Sequence, residues 1–404
     1  MPTLVTYRSL ILGLTLLAGL VRAADQTITL TDFTDRGFPP SLVSYQVTGD
    51  AATLAKLRVY DEAGAQVPSQ VDLATKTLRL VSALPRGRTL RYAVRPSGEA
   101  PAPGGVSVTP GKDGLVLRNR LFALRLPVEQ TQQFNPPVPA SSLLAPILGF
   151  QQAGDPATAW LGAGRLLTDR PVKALTVKLV ANGPILAEMS YEILWAAGGY
   201  YRASIQVIDQ VPLAMVSERY DLGVNDGTIF WELDLTQGWQ ADRAEVAANN
   251  GNGGGDPNGR VQSFADLLGT QPCQYLVGDQ AWGRLSHLGV FNAAERQAKP
   301  GSERMAGVVP LRKGLWRRSN ALEVYSAGEH DLRVRLPLGV RPTQWDRDIT
   351  SATSPFSTQE YDSTIPATEG RRVWGLALGP PAFEAGERPF YQLRRLYGII
   401  GLDR

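Results

Sequence analysis

The sequence is poor in the residues that build most metal and redox sites. Its 404 residues include one cysteine, Cys273, and two histidines, His287 and His330. A disulfide framework and a multi-histidine zinc site are therefore excluded, and a Ser-His-Asp triad has few candidates for its base. We predict that Cys273 and His287 are structural residues of the interior and that His330 lies in a turn before a strand.

An excess of charge of one sign is also missing. The chain has 41 Lys and Arg against 38 Asp and Glu, a formal net charge of +3. Two of the basic residues, Arg8 and Arg22, lie in a segment that we expect to be removed, which leaves 39 basic residues. A nearly neutral chain offers no electrostatic support for nucleic acid as a partner.

Long hydrophobic runs are confined to the start of the chain. Arg8 precedes an apolar stretch from Leu10 to Leu20, and Val21-Arg22-Ala23 fits a small-x-small cleavage pattern. This order predicts a signal peptide over residues 1–23, cleaved after Ala23 or Ala24. A membrane anchor is the less favoured alternative, because a spanning helix needs roughly 20 apolar residues. We expect a secreted or periplasmic protein without a membrane span after cleavage.

The chain is rich in turn formers, with 41 glycines and 29 prolines, and in segments that alternate apolar and polar residues. The clearest alternation runs over 187–193, and similar ones cover 175–179, 201–207, 231–235 and 332–338. Period-two alternation is typical of antiparallel strands that bury one face, whereas buried parallel strands read as continuous apolar runs between helices. The chain is therefore predicted to be mostly β, which disfavours all-helical and α/β folds.

A change of composition divides the chain. Apart from Glu99, residues 96–105 are Pro, Gly and small residues, typical of a linker. We predict a small N-terminal β domain, a barrel or a sandwich, over 24–95. Residues 106–385 are predicted to form a large antiparallel β-sandwich of two packed sheets.

The last residues have a different period. Over 386–404 the apolar side chains recur at helical spacing, at Phe390, Leu393, Leu396, Tyr397 and Ile400. This spacing predicts a short C-terminal amphipathic helix. The helix either docks on the sheet or begins a helical domain that lies outside this sequence.

Aromatic and basic residues outside the alternating segments are the candidates for ligand binding. An aromatic face can stack on a sugar ring while arginines bind its hydroxyl or carboxylate groups. The predicted substrate-binding residues are Trp239, Trp316, Arg317, Arg318, Trp345, Arg347 and Tyr361. The alternative is that each tryptophan is a core residue at a sheet edge or corner.

Two further groups leave alternatives open. The polar loop 249–259 could wrap a calcium ion, but it contains one carboxylate, Asp256, so we predict no cofactor and keep Ca²⁺ as the alternative. Five carboxylates crowd one region, where a hydrolase would need two facing one cleft. They are Glu218, Asp221, Asp226, Glu232 and Asp234.

Six short sequence segments resemble those of a known family. They are Leu57-Arg58-Val59-Tyr60, Val67-Pro68-Ser69-Gln70-Val71, Leu84-Pro85-Arg86-Gly87, Gly114-Leu115-Val116-Leu117-Arg118-Asn119, Asn182-Gly183-Pro184 and Arg395-Leu396-Tyr397-Gly398-Ile399-Ile400. In their order the chain resembles the non-helical part of rhamnogalacturonan exolyase-like bacterial polysaccharide lyases. The resemblance implies a barrel-like first domain and a galactose-mutarotase-like β-sandwich, without the family's α/α toroid. No catalytic residue of the family matches a motif of this sequence.

The resemblance makes polysaccharide the expected partner. The leading hypothesis is a secreted, carbohydrate-active protein that binds acidic, uronate-containing polysaccharide as the β-domain part of a lyase. In that hypothesis Arg317, Arg318 or Arg347 neutralises the uronate carboxylate while a tyrosine or histidine abstracts the proton. The alternatives are a non-catalytic carbohydrate-binding or structural cell-surface β-protein and a glycoside hydrolase.

Overall fold

The computed structural model describes twelve segments of the chain. They are residues 26–111, 113–152, 159–223, 229–249, 260–268, 273–277, 284–298, 304–311, 322–328, 330–338, 369–379 and 388–398. The predicted signal peptide and the loop over 250–259 lie outside them. Six predicted binding residues also lie outside them: Trp316, Arg317, Arg318, Trp345, Arg347 and Tyr361.

The first part of the chain forms two small sheets around their own core. Its elements are β1 (Gln26–Thr31), β2 (Phe38–Gln46), α1 (Ala51–Ala55), β3 (Leu57–Tyr60), β4 (Gln66–Val67), β5 (Ser69–Asp72), β6 (Thr77–Leu84) and β7 (Thr89–Pro96). The sheets have the orders β1-β7-β3-β4 and β2-β6-β5. Leu54, Val59, Leu78, Leu80 and Val94 are buried together in this core.

The rest of the described chain is a large β-sandwich. Its first elements are β8 (Ser107–Gly111), β9 (Gly114–Arg118), β10 (Phe122–Leu126), β11 (Gln130–Pro139), a 3-10 turn (Ala140–Ser142), β12 (Gly149–Gln152), β13 (Ala163–Leu166), β14 (Pro171–Asn182), β15 (Leu186–Trp195), β16 (Tyr200–Ile208), β17 (Leu213–Asp221) and β18 (Ile229–Asp234). They are followed by β19 (Arg243–Asn249), β20 (Arg260–Ser263), α2 (Phe264–Leu268), β21 (Cys273–Val277), β22 (Arg284–Phe291), α3 (Ala293–Ala298), β23 (Met305–Pro310), β24 (Leu322–Gly328), β25 (Asp331–Pro337) and β26 (Glu369–Ala377).

Two sheets make up the sandwich. The smaller has the order β12-β10-β9-β8, and the larger has the order β11-β14-β15-β16-β17-β26-β23-β22-β21-β24-β25-β18-β13, with β19 and β20 beside β22. Every described strand pair is antiparallel except β21 with β22. The prediction of a mostly antiparallel β fold is confirmed.

The alternation in the sequence predicts the buried face correctly. On β15 the side chains of Ala187, Met189, Tyr191 and Ile193 are buried, while the polar residues between them are partly exposed. A strand places successive side chains on opposite faces, so apolar residues at every second position give one apolar face. Burial of each large side chain on that face contributes about 1.5–3 kcal/mol to folding.

Distant parts of the large sheet pack face to face. The ring of Phe230 on β18 lies 4.4 Å from that of Tyr201 and 5.4 Å from that of Trp195, on β16 and β15. Trp231 lies 6.3 Å from Trp374 of β26. Because β18 is not a neighbour of these strands in the sheet, the contacts cross the interior of the sandwich, which is lined by aromatic residues.

The prediction of a short C-terminal helix is confirmed. The chain forms α4 (Pro389–Leu393) and then a π-helical turn (Arg394–Gly398). Proline at the first helical position suits the start of α4. The predicted apolar face is correct: Phe390, Leu393 and Tyr397 are buried, and they pack in one cluster with Leu42 and Val81 of the N-terminal sheets. Whether a helical domain follows stays a prediction.

A buried carboxylate holds the start of α4. Glu245 on β19 accepts hydrogen bonds from the backbone N–H of Phe390 (3.0 Å) and Tyr391 (2.7 Å). The Nε2 atom of His287 lies 3.0 Å from the same carboxylate, and both side chains are fully buried. The carboxylate thus binds the N–H groups that a helix start leaves unpaired. Among the described residues no helix is long and apolar enough to span a membrane.

Candidate functional site

The carboxylates that crowd the sequence separate in three dimensions. Glu218 on β17 points into the sandwich, whereas Glu232 on β18 lies on the opposite side of its strand from the core residues Trp231 and Leu233. Asp226 lies outside the described residues. The two glutamates therefore belong to different sites with different chemistry.

Glu218 is the centre of a fully buried polar network. Its Oε1 accepts hydrogen bonds from the Tyr201 hydroxyl (2.5 Å) and the Trp231 indole N–H (3.2 Å), and its Oε2 accepts one from Trp374 (2.8 Å). The Nε of Arg372 lies 3.1 Å from Oε2, and neither charged side chain is exposed. Burial and the Glu218 charge raise the pKa of Tyr201 well above its usual value. Because the network is closed to solvent, we assign it a structural role.

Glu232 is the centre of a second network, which reaches the surface. We call it the Glu232 cluster. It consists of Arg165, Glu232, Asp234, Glu323, Tyr325, Asp331, Arg333 and Arg335. Its members lie on four adjacent strands, β13, β18, β25 and β24.

Sheet register brings the charges together. Arg165 is paired with Glu232, Glu232 with Arg335, and Arg335 with Glu323, in one row across the four strands. Directly opposed residues on antiparallel strands have Cβ atoms about 5 Å apart, and opposite charges in such pairs stabilise the sheet. The row therefore alternates positive and negative side chains.

Three guanidinium groups surround the Glu232 carboxylate. Arg165 Nη2 lies 2.6 Å from Oε1, Arg335 Nε lies 2.6 Å from Oε2, and Arg333 Nη1 lies 3.5 Å from Oε1. Burial alone would raise the pKa of Glu232, but hydrogen bonds and charges from Arg335 and Arg165 hold it below its usual value. The carboxylate is therefore ionised at neutral pH, although its side chain is only 1% exposed.

The cluster presents both an aromatic ring and exposed charge. The guanidinium carbon of Arg335 lies 3.7 Å from the centre of the Tyr325 ring, a cation–π contact. The Arg165 side chain is 59% exposed, so its remaining N–H groups face solvent. Glu323 lies 3.5 Å from Arg335 on the far side of the row and is 1% exposed.

The lowered pKa of Glu232 predicts a loss of stability in acid. The folded state holds this carboxyl below its unfolded pKa of 4.5, so its contribution is complete above that pH and is lost as the pH falls through the folded value. Glu232→Gln should cost about 1.5–3 kcal/mol at pH 7 and less at pH 3. Urea denaturation at both pH values measures this. An equal cost at pH 3 and pH 7 would contradict it, and Glu62→Gln, in an exposed turn, is the control.

Trp239 is the one predicted binding residue that the structure describes. It lies in the main core, 8% exposed, and its indole N–H donates to the Leu235 carbonyl (2.8 Å). Its role in sugar binding stays a prediction, and it is not part of the Glu232 cluster. The histidine predictions are confirmed: His287 is buried on Glu245, and the His330 Nδ1 lies 2.7 Å from the Ala241 carbonyl in a turn with φ of 63°.

Sequence reasoning missed most of the Glu232 cluster. Arg333 and Arg335 occupy the polar positions of the alternating segment 332–338. Its pattern predicts a strand with one apolar face but gives no signal for the contacts of the two arginines. Arg165, Glu323 and Tyr325 come from three separate segments, so only the register of the sheet reveals that they meet. In the described parts of the chain, no three His, Cys, Asp or Glu side chains are grouped to hold a metal ion.

Comparison with known proteins gives a likeness in fold only. No protein-family model matches the sequence, and no curated protein matches it. A solved structure of a glycosyl hydrolase family 38 protein from Enterococcus faecalis superposes with a TM-score of 0.51 at 10% identity, over 94% of this chain and 47% of that one. An alpha-mannosidase from Enterococcus faecalis V583 gives a TM-score of 0.49, 10% identity, and 93% and 45% coverage. The chain thus spans about half the length of these proteins.

This likeness corrects the resemblance drawn from the sequence. The fold is shared with a glycosyl hydrolase family 38 protein, so the assignment to rhamnogalacturonan exolyase-like polysaccharide lyases was wrong. The segments that carried it are strands and turns: residues 57–60 are β3, residues 85–88 a turn, and 114–118 are β9. Such strand and turn segments recur in many β-sandwiches, because their residues suit the backbone geometry of strands and turns and do not form a catalytic site.

Proposed function

We propose that this protein is a carbohydrate-active β-sandwich of the glycoside hydrolase kind, and that it binds neutral glycan at the Glu232 cluster. The observation that carries the proposal is the row of Arg165, Glu232, Arg335 and Glu323 beside the Tyr325 ring, in which the Arg165 side chain is 59% exposed. The fold likeness to a glycosyl hydrolase family 38 protein supports the same class of ligand.

The chemistry of the cluster suits sugar hydroxyls. Guanidinium N–H groups donate to hydroxyl oxygens, carboxylates accept from hydroxyl groups, and an aromatic ring contacts the apolar face of a pyranose. The three arginines of the cluster face four carboxylates, Glu232, Glu323, Asp234 and Asp331. Positive charge is therefore not in excess, which favours a neutral glycan over a uronate polymer.

Substitution of Arg165 tests the proposal. Arg165→Ala removes the most exposed donor, and we expect it to weaken glycan binding about 10- to 150-fold, the effect of one hydrogen bond to a charged group. Affinity electrophoresis in gels containing a mannan, a glucan, a galactan or a xylan measures the dissociation constant. Arg219→Ala, an exposed arginine on β17, is the matched control and should bind like the wild type. Equal binding by both variants would place the ligand elsewhere.

Hydrolysis of a neutral glycoside is a second candidate function, which the fold likeness to a glycosyl hydrolase family 38 protein supports. Glu232 and Glu323 are not assigned as its catalytic pair, because both side chains are 1% exposed and Arg335 lies between them. Release of nitrophenol from aryl glycosides by the wild type would support this candidate, and no release from any of them would count against it.

A further inference from the structure

Phe33 is an aromatic side chain held out in solvent. It is 90% exposed, more than any other large apolar residue in the described parts of the chain. It lies in the turn between β1 and β2, and its exposed neighbours are Thr34, Asp35 and Arg36. Single exposed apolar residues are common on protein surfaces, so exposure alone proves nothing. The hydrogen bonds that fix the backbone around it are what distinguish Phe33.

A buried carboxylate fixes the backbone on both sides of Phe33. The Oδ1 of Asp32 accepts hydrogen bonds from the backbone N–H (2.9 Å) and the hydroxyl (2.8 Å) of Thr34. Its Oδ2 accepts from the N–H groups of Gly37 (2.8 Å) and Gly87 (3.0 Å). Burial raises the pKa of Asp32, but these bonds outweigh it and lower the pKa well below the usual value. The charged carboxylate thus closes the turn around Phe33.

The turn is also joined to a second one. The Asp32 N–H donates to the Arg88 carbonyl (3.0 Å), and the Arg86 guanidinium lies 2.8 Å from the Asp35 carboxylate. Asp35 has a φ of 53°, in the left-handed region that non-glycine residues rarely adopt. Hydrogen bonds and an ion pair therefore join residues 32–37 and 85–88 into one tip, which we call the Phe33 tip.

The composition of the tip suits a sugar ring. One phenyl ring offers an apolar surface of about the size of one pyranose face, and Arg36, Arg86 and Asp35 supply hydroxyl partners beside it. Binding at a turn whose backbone is already fixed by hydrogen bonds loses little backbone conformational entropy. A lipid surface would require more apolar side chains than this tip carries, because Phe33 is its one exposed large apolar residue.

We propose that the Phe33 tip is a second glycan-binding site, separate from the Glu232 cluster, in which a neutral pyranose stacks on the Phe33 ring. The inference rests on the proposed carbohydrate function of the chain. A site on the N-terminal sheets in addition to one on the sandwich would let the protein hold a polymer at two points, which raises its avidity for long chains over short ones.

Affinity electrophoresis with the same four neutral polysaccharides tests the tip. Phe33→Ala should raise the dissociation constant about tenfold, as expected for loss of a central aromatic contact, and Phe33→Trp should restore binding. Val180→Ala, a 59% exposed apolar residue on β14, is the matched control. Asp32→Asn should weaken binding and also speed tryptic cleavage at Arg36 and Arg86, because the turn loosens.

The outcomes separate the two sites. Weaker binding by Phe33→Ala with rescue by Phe33→Trp supports the tip. Wild-type binding by Phe33→Ala together with a loss in Arg165→Ala overturns the tip and leaves the proposed function intact. If the wild type binds none of the four polysaccharides, both the Phe33 tip and the proposed function are overturned. If Phe33→Ala binds glycan like the wild type but no longer co-sediments with anionic vesicles, the tip binds a lipid surface and the glycan site is overturned.

Discussion

Replacing Glu218 with leucine should destabilise the protein by about 3–5 kcal/mol, more than any surface substitution. The change leaves the buried Arg372 guanidinium without its 3.1 Å partner and removes the acceptor of the Tyr201 hydroxyl and the Trp374 indole N–H. The Trp231 N–H keeps its 2.9 Å hydrogen bond to the Tyr201 hydroxyl. Breaking one side of a buried ion pair costs this much because the remaining charge is not solvated. Urea or guanidinium denaturation followed by tryptophan fluorescence measures the change.

A graded series distinguishes charge from hydrogen bonding at Glu218. Glu218→Gln keeps an oxygen acceptor but removes the charge, so it should cost less than Glu218→Leu. Arg372→Met leaves a carboxylate that still accepts three hydrogen bonds, and it should also cost less than Glu218→Leu. Glu62→Gln, on an exposed turn, should change stability by less than about 0.5 kcal/mol. A cost below about 1 kcal/mol for Glu218→Leu would show that the interior admits water.

Truncation of Phe390 should cost about 3–5 kcal/mol, because its ring is fully buried between the sandwich and the C-terminal segment. The ring rests on two glycines that are paired across β22 and β23, Gly289 and Gly307. A Cβ atom at either glycine would overlap the ring. Gly289→Ala should therefore cost about 1–3 kcal/mol through overpacking.

The two changes should not be additive. In Gly289→Ala with Phe390→Ala, the new methyl group enters the space that the ring vacates, so the double variant should cost about 0.5–3 kcal/mol less than the sum of the single ones. Denaturant unfolding of the four proteins gives this coupling energy. Gly98→Ala, where a Cβ meets no atom, is the control and should be nearly neutral. Additive costs would mean that the Phe390 ring does not pack on Gly289 and Gly307 in solution.

Most of the fold class could be predicted from local sequence. The alternation over 187–193 and 332–338 predicts strands with one apolar face, and both segments are strands of the large sheet. Such predictions succeed because the alternate direction of side chains is a property of the extended backbone itself. For the C-terminal helix the sequence predicts the buried face, with Phe390, Leu393 and Tyr397, but not where the regular helix ends, because apolar residues at helical spacing do not specify that position.

The candidate site could not be predicted in the same way. Glu218 and Glu232 are both polar residues in strand-like segments, yet one lies in the closed interior and the other among surface arginines. The order of strands in the large sheet decides this, since it places β18 beside β13 and β25 and opposite β16. Local sequence contains no information about that order.

The sequence alone determined that this protein is built of antiparallel strands, since period-two patterning and abundant turn residues act over a few neighbouring positions. Only the tertiary structure decided which charges meet. Arg165, Glu232, Arg335 and Glu323 form one row through the register of four strands that are far apart in the chain. Asp32 supports Phe33 through a glycine 55 residues away. Both arrangements depend on the pairing of strands and turns that are far apart in the chain. The burial of whole sheet faces selects this pairing, and no single segment specifies it.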